Sequence, residues 1–251
     1  MKYREHLFIF LIRRVQSKET NESLDASIES FVYRLSPYLL LRPAQKTLEW
    51  LLFRFQIHVF NADALLLAFL PFHETTVFVR VLQCLDLSSD VSQNKHWQWL
   101  APLQKPGVPL ARQTLYKRLV SDLSFLAKVC EIPGKALEAF ENDDDEDDDD
   151  DDSKSKPSSS SSAPLRPFFS FYAASLIGAM ELAEDVTNKE IGILLKFVVK
   201  GLKSESDDYR LATFMIISAL AVKKSLAKVV AAELVKCIAN NLSDATVEQG
   251  M

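Results

Sequence analysis

Apolar residues along this chain recur at steps of three and four, and the stretches they mark predict helices. In "NESLDASIESFVYRLSPYLL", Leu24, Ile28, Phe31, Val32, Leu35 and Leu39 share one side while Glu22, Asp25, Glu29 and Arg34 occupy the others, the spacing of an amphipathic helix. Asn21 offers a cap, and Pro37 ends or kinks the segment. "RPAQKTLEWLLFRFQIHVF" repeats the pattern with Pro43 suited to a first helical position. Its Leu48, Leu51, Leu52 and Phe55, joined by Trp50 and Phe53, make so wide an apolar face that the helix is expected to pack on more than one side. "NADALLLAFLPFHETTVFVRVLQCLDL" reads as a helix capped by Asn61, a break at Pro71, and a second helix through Val77, Phe78, Val81, Leu82 and Leu85.

Pro102, Pro106 and Pro109 then rule out continuous helix, and periodicity resumes through Leu115, Leu119, Leu123, Leu126 and Cys130 until Pro133 and Gly134 punctuate it. Further on, "PFFSFYAASLIGAMELAEDV", "NKEIGILLKFVVKGL", "SDDYRLATFMIISAL" and "KKSLAKVVAAELVKCIANNL" give four more helices, while period-two alternation is almost absent. The fold class is therefore all-α. Helices joined by short turns form either a HEAT-like α-solenoid of antiparallel helix pairs or a compact helical bundle. Two phrases favour the solenoid: "HETTVFVRVLQCL" and "SDDYRLATFMIISAL" each open with acids and place an arginine, Arg80 or Arg210, several residues later. Such an arginine could pair with an acid of a neighbouring repeat.

The pattern fails at residues 141–164. Residues 141–152 hold eleven carboxylates in twelve positions, followed by serines and prolines, and such a stretch has no apolar surface to offset chain entropy. Helical phrases of one style continue on either side. The expected organisation is thus a helical array over 1–140, a disordered acidic and serine-rich insertion over 141–164, and the same array continued over 165–251.

Composition changes this picture little. Of 251 residues 48% are apolar, ample for a core, and only 6 are glycine, few for a fold built on tight turns. The net charge of −5 hides an asymmetry: without the acidic tract, 29 basic residues face 23 acidic ones. That mild basic excess is compatible with a nucleic-acid neighbour without requiring one. Cys84, Cys130 and Cys237 are scattered and odd in number, which points to buried structural thiols in a reducing compartment. The start, "MKYREHLFIFLIRRVQ", has too short an apolar run for a secretory signal or a membrane span, so a soluble intracellular protein with no membrane partner is expected.

Candidate chemistry is sparse. His6, His58, His73 and His96 lack metal-ligand spacing, and no nucleophile elbow, P-loop or dinucleotide motif occurs, so neither an enzyme nor a cofactor is expected. Three features could bind, and the acidic tract is one: it could mimic a polyanion or bind basic protein tails, although solubilising a large assembly is the simpler reading. "NKHWQWL" places Lys95, His96, Trp97 and Trp99 together, where exposed aromatics beside bases would stack on unpaired RNA bases or anchor a protein; the stronger argument is that the tryptophans pack beneath a loop, since large aromatics usually bury most of their area. "RQTLYKRL" sets Arg112, Lys117 and Arg118 on or near one helix surface where phosphate could be met, against the simpler reading of a solvated face.

Taken together, "LSPYLLLRPAQKTLEWLLFRFQIHVFNADALLLAFLPFHETTVFVRVLQCL", "KHWQWLAPLQKPGVPLARQTL", "FYAASLIGAMELAEDV" and "GLKSESDDYRLATFMIISAL" resemble the N-terminal region of the HEAT repeat-containing protein 1 family, also called the U-three small nucleolar RNA-associated protein 10 family. The resemblance implies a noncatalytic nucleolar scaffold of the small-subunit processome, acting in pre-rRNA processing and supporting RNA polymerase I transcription. Implied partners are other processome proteins, including β-propeller proteins, with pre-rRNA and the U-three small nucleolar ribonucleoprotein met directly or through other components. The chain is far shorter than a full member and carries its acidic tract where a modest loop is expected. A generic HEAT-type protein-binding adaptor with no RNA role is the competing reading.

Overall fold

In the computed structural model, which describes residues 16–87, 94–141 and 163–241, helices begin where short side chains or prolines answer the free amides of a first turn. Ser17 Oγ accepts the Thr20 amide at 3.2 Å and opens α1 (Lys18–Leu35), so the cap lies four residues before the expected Asn21. A 3-10 turn over Ser36–Tyr38 carries Pro37, and α2 (Arg42–Phe55) then starts with Pro43 in its first turn, both as the sequence predicts. The backbone turns left-handed at Gln56 (φ 52°) into the single turn α3 (Ile57–Phe60), which leads to α4 (Ala62–Phe69). Asn61 stands at the start of α4 without capping it; its Nδ2 donates to Asp25 O on α1 at 3.1 Å instead. A 3-10 turn at Pro71 precedes α5 (Thr76–Cys84), which Thr75 caps, and a second at Lys95–Leu100 precedes α6 (Ala101–Gln104).

The periodic stretch from Leu110 is two helices, α7 (Arg112–Ser121) and α8 (Leu123–Glu141), divided at Asp122, whose Oδ1 accepts the Ser124 and Phe125 amides at 2.9 and 3.1 Å. Pro133 does not end α8. Val129, Cys130, Ile132, Ala136 and Ala139 are buried on both sides of it, and their burial outweighs the roughly 3 kcal/mol that a proline costs within a helix. Four helices complete the described chain: α9 (Arg166–Leu182), α10 (Asn188–Leu202), α11 (Asp207–Lys223) and α12 (Lys228–Asn241). Thr187 and Glu190 form a capping box on α10, and Ser206 caps α11. Among the described residues there is no strand, and the all-α class stands.

The chain divides into two compact units. The first runs to Ala111 and takes in residues 138–140; the second holds 112–137 and everything from residue 141. In the first, α4 is the central element: seven of its eight residues, Ala62 and Ala64 to Phe69, are buried, and Ile28, Val32 and Tyr33 of α1 bury alongside. Each large side chain so buried contributes about 1.5–3 kcal/mol. Arg34 Nε donates to Ala139 O at 2.6 Å. His73, also buried, bonds Leu110 O through Nδ1 at 2.7 Å while its own carbonyl accepts the Leu110 amide at 3.0 Å.

In the second unit α9 is central, packing on α7 and on α11, while α10 packs on α11 and α12. Thus α7, α9 and α10 each meet the next helix or the one beyond, which is how stacked HEAT-like pairs pack. Helices from before and after the acidic tract therefore share one unit, and the unit boundary falls at 111/112. Residues 142–162, with nearly all of the tract expected to be disordered, lie outside the described residues, as do residues 1–15.

Candidate functional site

The turn carrying Lys95, His96, Trp97 and Trp99 is organised by one carboxylate. Asp63, in the first turn of α4, accepts the Trp97 indole N–H at 2.7 Å and a bond from His96 Nε2 at 2.5 Å, all on the same Oδ1. Trp97 is fully buried and Trp99 half-buried, with their rings stacked at 6.5 Å. The packing alternative therefore accounts for Trp97: an indole with no exposed face cannot stack on a base. Lys95 and His96 remain exposed. Gln104, at the end of α6, extends the same structural role by donating to Leu82 O and Leu85 O at 2.5 and 2.9 Å, which satisfies the end of α5.

The basic residues of α7 do not share a surface. At about 100° per residue, Arg112, Lys117 and Arg118 stand roughly 100–140° apart around the axis. Arg112 and Lys117 are exposed, whereas Arg118 binds Asp122 at 2.5 Å, the same carboxylate that caps α8. Its guanidinium joins α7 to the start of α8. Of the repeat arginines, Arg210 binds Asp207 of its own helix, and Arg80 is exposed on α5.

Two surfaces were not singled out by sequence reasoning. Trp50 and Phe53, expected to pack on a second neighbour, are 55% and 56% exposed. They share the outer side of α2 with exposed Arg42, Lys46, Glu49 and Arg54. On α10, Lys189, Lys196 and Lys200 recur at steps of seven and four, which places them within about 40° of one another, with Lys203 just past the helix end, and all four are exposed. Both patterns are legible as ridge spacing; what hid them was reading α2 for its apolar content and α10 for its buried side.

Cys130 is buried and its thiol is pushed well up by burial, as an inert core thiol is, while Cys84 is exposed because the buried side of α5 is made by Phe78, Val79, Val81 and Leu82. Tyr172 is also fully buried, its hydroxyl held protonated by burial and by the neighbouring Cys130 and Tyr209. Among the described residues, no group of three or more His, Cys, Asp or Glu is placed to hold a metal ion. None of the described helices is long and apolar enough to cross a membrane.

Residues 191–251 match the family model described as U3 small nucleolar RNA-associated protein 10. The chain is 42% identical over 246 residues to HEAT repeat-containing protein 1 of Danio rerio, covering 96% of this chain and 10% of that protein. It is 41% identical over 217 residues to HEAT repeat-containing protein 1 of Homo sapiens, covering 86% and 9%. U3 small nucleolar RNA-associated protein 10 of Mycosarcoma maydis is 32% identical over 117 residues, covering 47% and 5%. The chain spans about a tenth of the length of the two HEAT repeat-containing protein 1 relatives it matches.

Proposed function

Because the chain belongs to the family of HEAT repeat-containing protein 1 and U3 small nucleolar RNA-associated protein 10, we propose that it serves ribosome biogenesis as a noncatalytic helical scaffold of the small-subunit processome, in the nucleolus. The observation that carries this reading is 42% identity over a match that covers 96% of this chain. In this reading the chain corresponds to the N-terminal region of longer members, acts in pre-rRNA processing with support of RNA polymerase I transcription, and meets β-propeller proteins and the U3 ribonucleoprotein. Helical stacking supports a scaffold, because repeats joined by nearest-neighbour contacts present extended surface rather than a closed pocket.

The acidic stretch at 141–164 is read as an insertion within one array, which is supported by α7, most of α8 and α9 lying in the same unit although the stretch separates α8 from α9 in sequence.

Affinity purification of the tagged chain from nuclear extract, with mass spectrometry of proteins and probing for U3 RNA, tests the proposal. Co-recovery of processome proteins and U3 RNA is the expected result. Recovery from cytosolic fractions alone, free of both, would overturn it and favour an adaptor without an RNA role.

A further inference from the structure

We propose that the outer side of α2 binds single-stranded RNA, with Trp50 and Phe53 stacking on unpaired bases and Arg42, Lys46 and Arg54 meeting phosphates. The inference deepens the proposed function and rests on it for the class of ligand.

Arg42, Lys46, Trp50 and Arg54 follow one another at steps of four, a single ridge about 18 Å long on which the indole sits between two cations, each one turn away. Phe53, three residues from Trp50, lies beside it on the same side. All of these are exposed, and the buried side of the helix is made by Ala44, Leu48 and Leu51. Exposing two large aromatics is costly unless something covers them.

Phe55 arranges the ridge. Its ring meets Trp50 edge-on at 5.4 Å with the planes at 77°, and the Arg54 guanidinium lies over the same ring at 5.9 Å. The indole and the guanidinium are therefore oriented by one half-buried ring at the end of α2, so less conformational freedom is lost on binding.

Charge and side-chain type favour RNA. On this side of α2, Arg42, Lys46 and Arg54 stand against Glu49 alone, a balance suited to a polyanion. The apolar groups on the ridge are both aromatic, offering a ring face to any base, and stacking of this kind tolerates sequence. Leu40 and Leu41, exposed aliphatic residues in the turn before α2, would serve a protein partner rather than RNA, so their substitution separates the two.

Fluorescence anisotropy on the full chain, with labelled single-stranded oligouridylate of about 12 nucleotides and an RNA duplex of equal length, tests this. Preference for the single strand is expected. The paired substitution Trp50→Ala with Phe53→Ala should weaken oligouridylate binding about tenfold or more, while Trp50→Phe retains most of the affinity. Lys46→Glu with Arg54→Glu should flatten the slope of log K against log salt by about 1.4 or more, the loss of two phosphate contacts on a single strand. Leu40→Ser with Leu41→Ser should leave RNA affinity unchanged.

Because the altered side chains are largely exposed, unchanged circular dichroism should accompany each variant, and melting should fall only slightly where the contacts of Phe55 with Trp50 or Arg54 are removed. Equal affinity for the duplex, or full oligouridylate affinity in the aromatic double variant, overturns the inference. So does a double variant that keeps its RNA affinity but loses a processome protein on purification, which would assign the ridge to a protein. None of these results touches the processome reading, whose failure is visible in the wild-type purification.

Discussion

The two units reach a packed helical interior by different means. After α1 and α2, of 18 and 14 residues, the first continues in short pieces: α3 and α6 have 4 residues each, α4 has 8 and α5 has 9. In the second, the four helices after the acidic tract have 14 to 17 residues. Every helix end leaves amides or carbonyls to be satisfied, so short helices bring more polar groups into the interior. Accordingly Ser36, Gln56, Asn61, His73 and Asn94 are buried in the first unit, against Ser175, Ser206 and Thr213 in the second. The first unit is held by side chains reaching back to helix ends; the second is held by close approach of long helices.

That close approach is visible at two glycines. A Cβ at position 178 would overlap the Tyr116 ring, so only glycine lets α9 lie against α7 as it does. A Cβ at 201 would overlap Thr213 Oγ1, which puts α10 against α11 on the same terms. Phe169 stacks on Tyr209 at 5.3 Å nearby, and Tyr172 meets the same ring edge-on at 6.0 Å. Such aromatic pairs add about 0.5–1.5 kcal/mol beyond the area they bury.

The difference predicts that the largest single loss lies at Trp97. Trp97→Ala removes a fully buried indole and leaves Asp63 without one of its donors, and should cost about 3–5 kcal/mol. Chemical denaturation reads the loss, and amide hydrogen exchange over residues 57–104 should show it as faster opening there. If Trp97→Ala melts like the wild type, the polar-anchored account of the first unit is wrong. Next in size are Gly178→Ala and Gly201→Ala, each expected to cost about 1–3 kcal/mol by overpacking. Thr213→Ala removes the hydroxyl that position 201 would strike, so Gly201→Ala should cost less in a Thr213→Ala background than alone. Simple additivity in that cycle would sink the close-approach account of the second unit. Thr187→Ala, which removes the capping box of α10, should cost about 1 kcal/mol in thermal melting and loosen only the start of that helix.

Sequence reading succeeded where one force dominated. The apolar spacing of α1, α2 and α9 to α12 located those helices, and Pro37, Pro43 and Pro71 marked their breaks, because a missing N–H and a fixed φ act locally. Pro133 misled for the opposite reason. Its local preference was outweighed by burial on both sides of α8, which depends on contacts distant in sequence. The same non-locality hid the role of Asp63: nothing near it in sequence announces that Trp97, thirty-four residues on, will donate to it. Trp50 and Phe53 looked like core because apolar type says nothing about which side of a helix meets a neighbour.

The smallest expected effect concerns how the second unit holds a helix end without burying it. Lys224, just after α11, donates to both carboxylate oxygens of Asp185 at 2.8 and 2.6 Å, tying it to the loop between α9 and α10. That hydrogen bond, more than any charge at a distance, holds the Asp185 carboxyl below its usual value. With the folded value lowered, the tie is fully present above the unfolded aspartate range and is lost as pH falls through the folded value. Asp185→Asn should therefore lower stability slightly at neutral pH and by progressively less in acid, until variant and wild type converge. Because the pair is exposed, added salt should shrink the neutral-pH difference as well. A difference that persisted at low pH would mean that Asp185 acts through the shape of the loop and not through its charge.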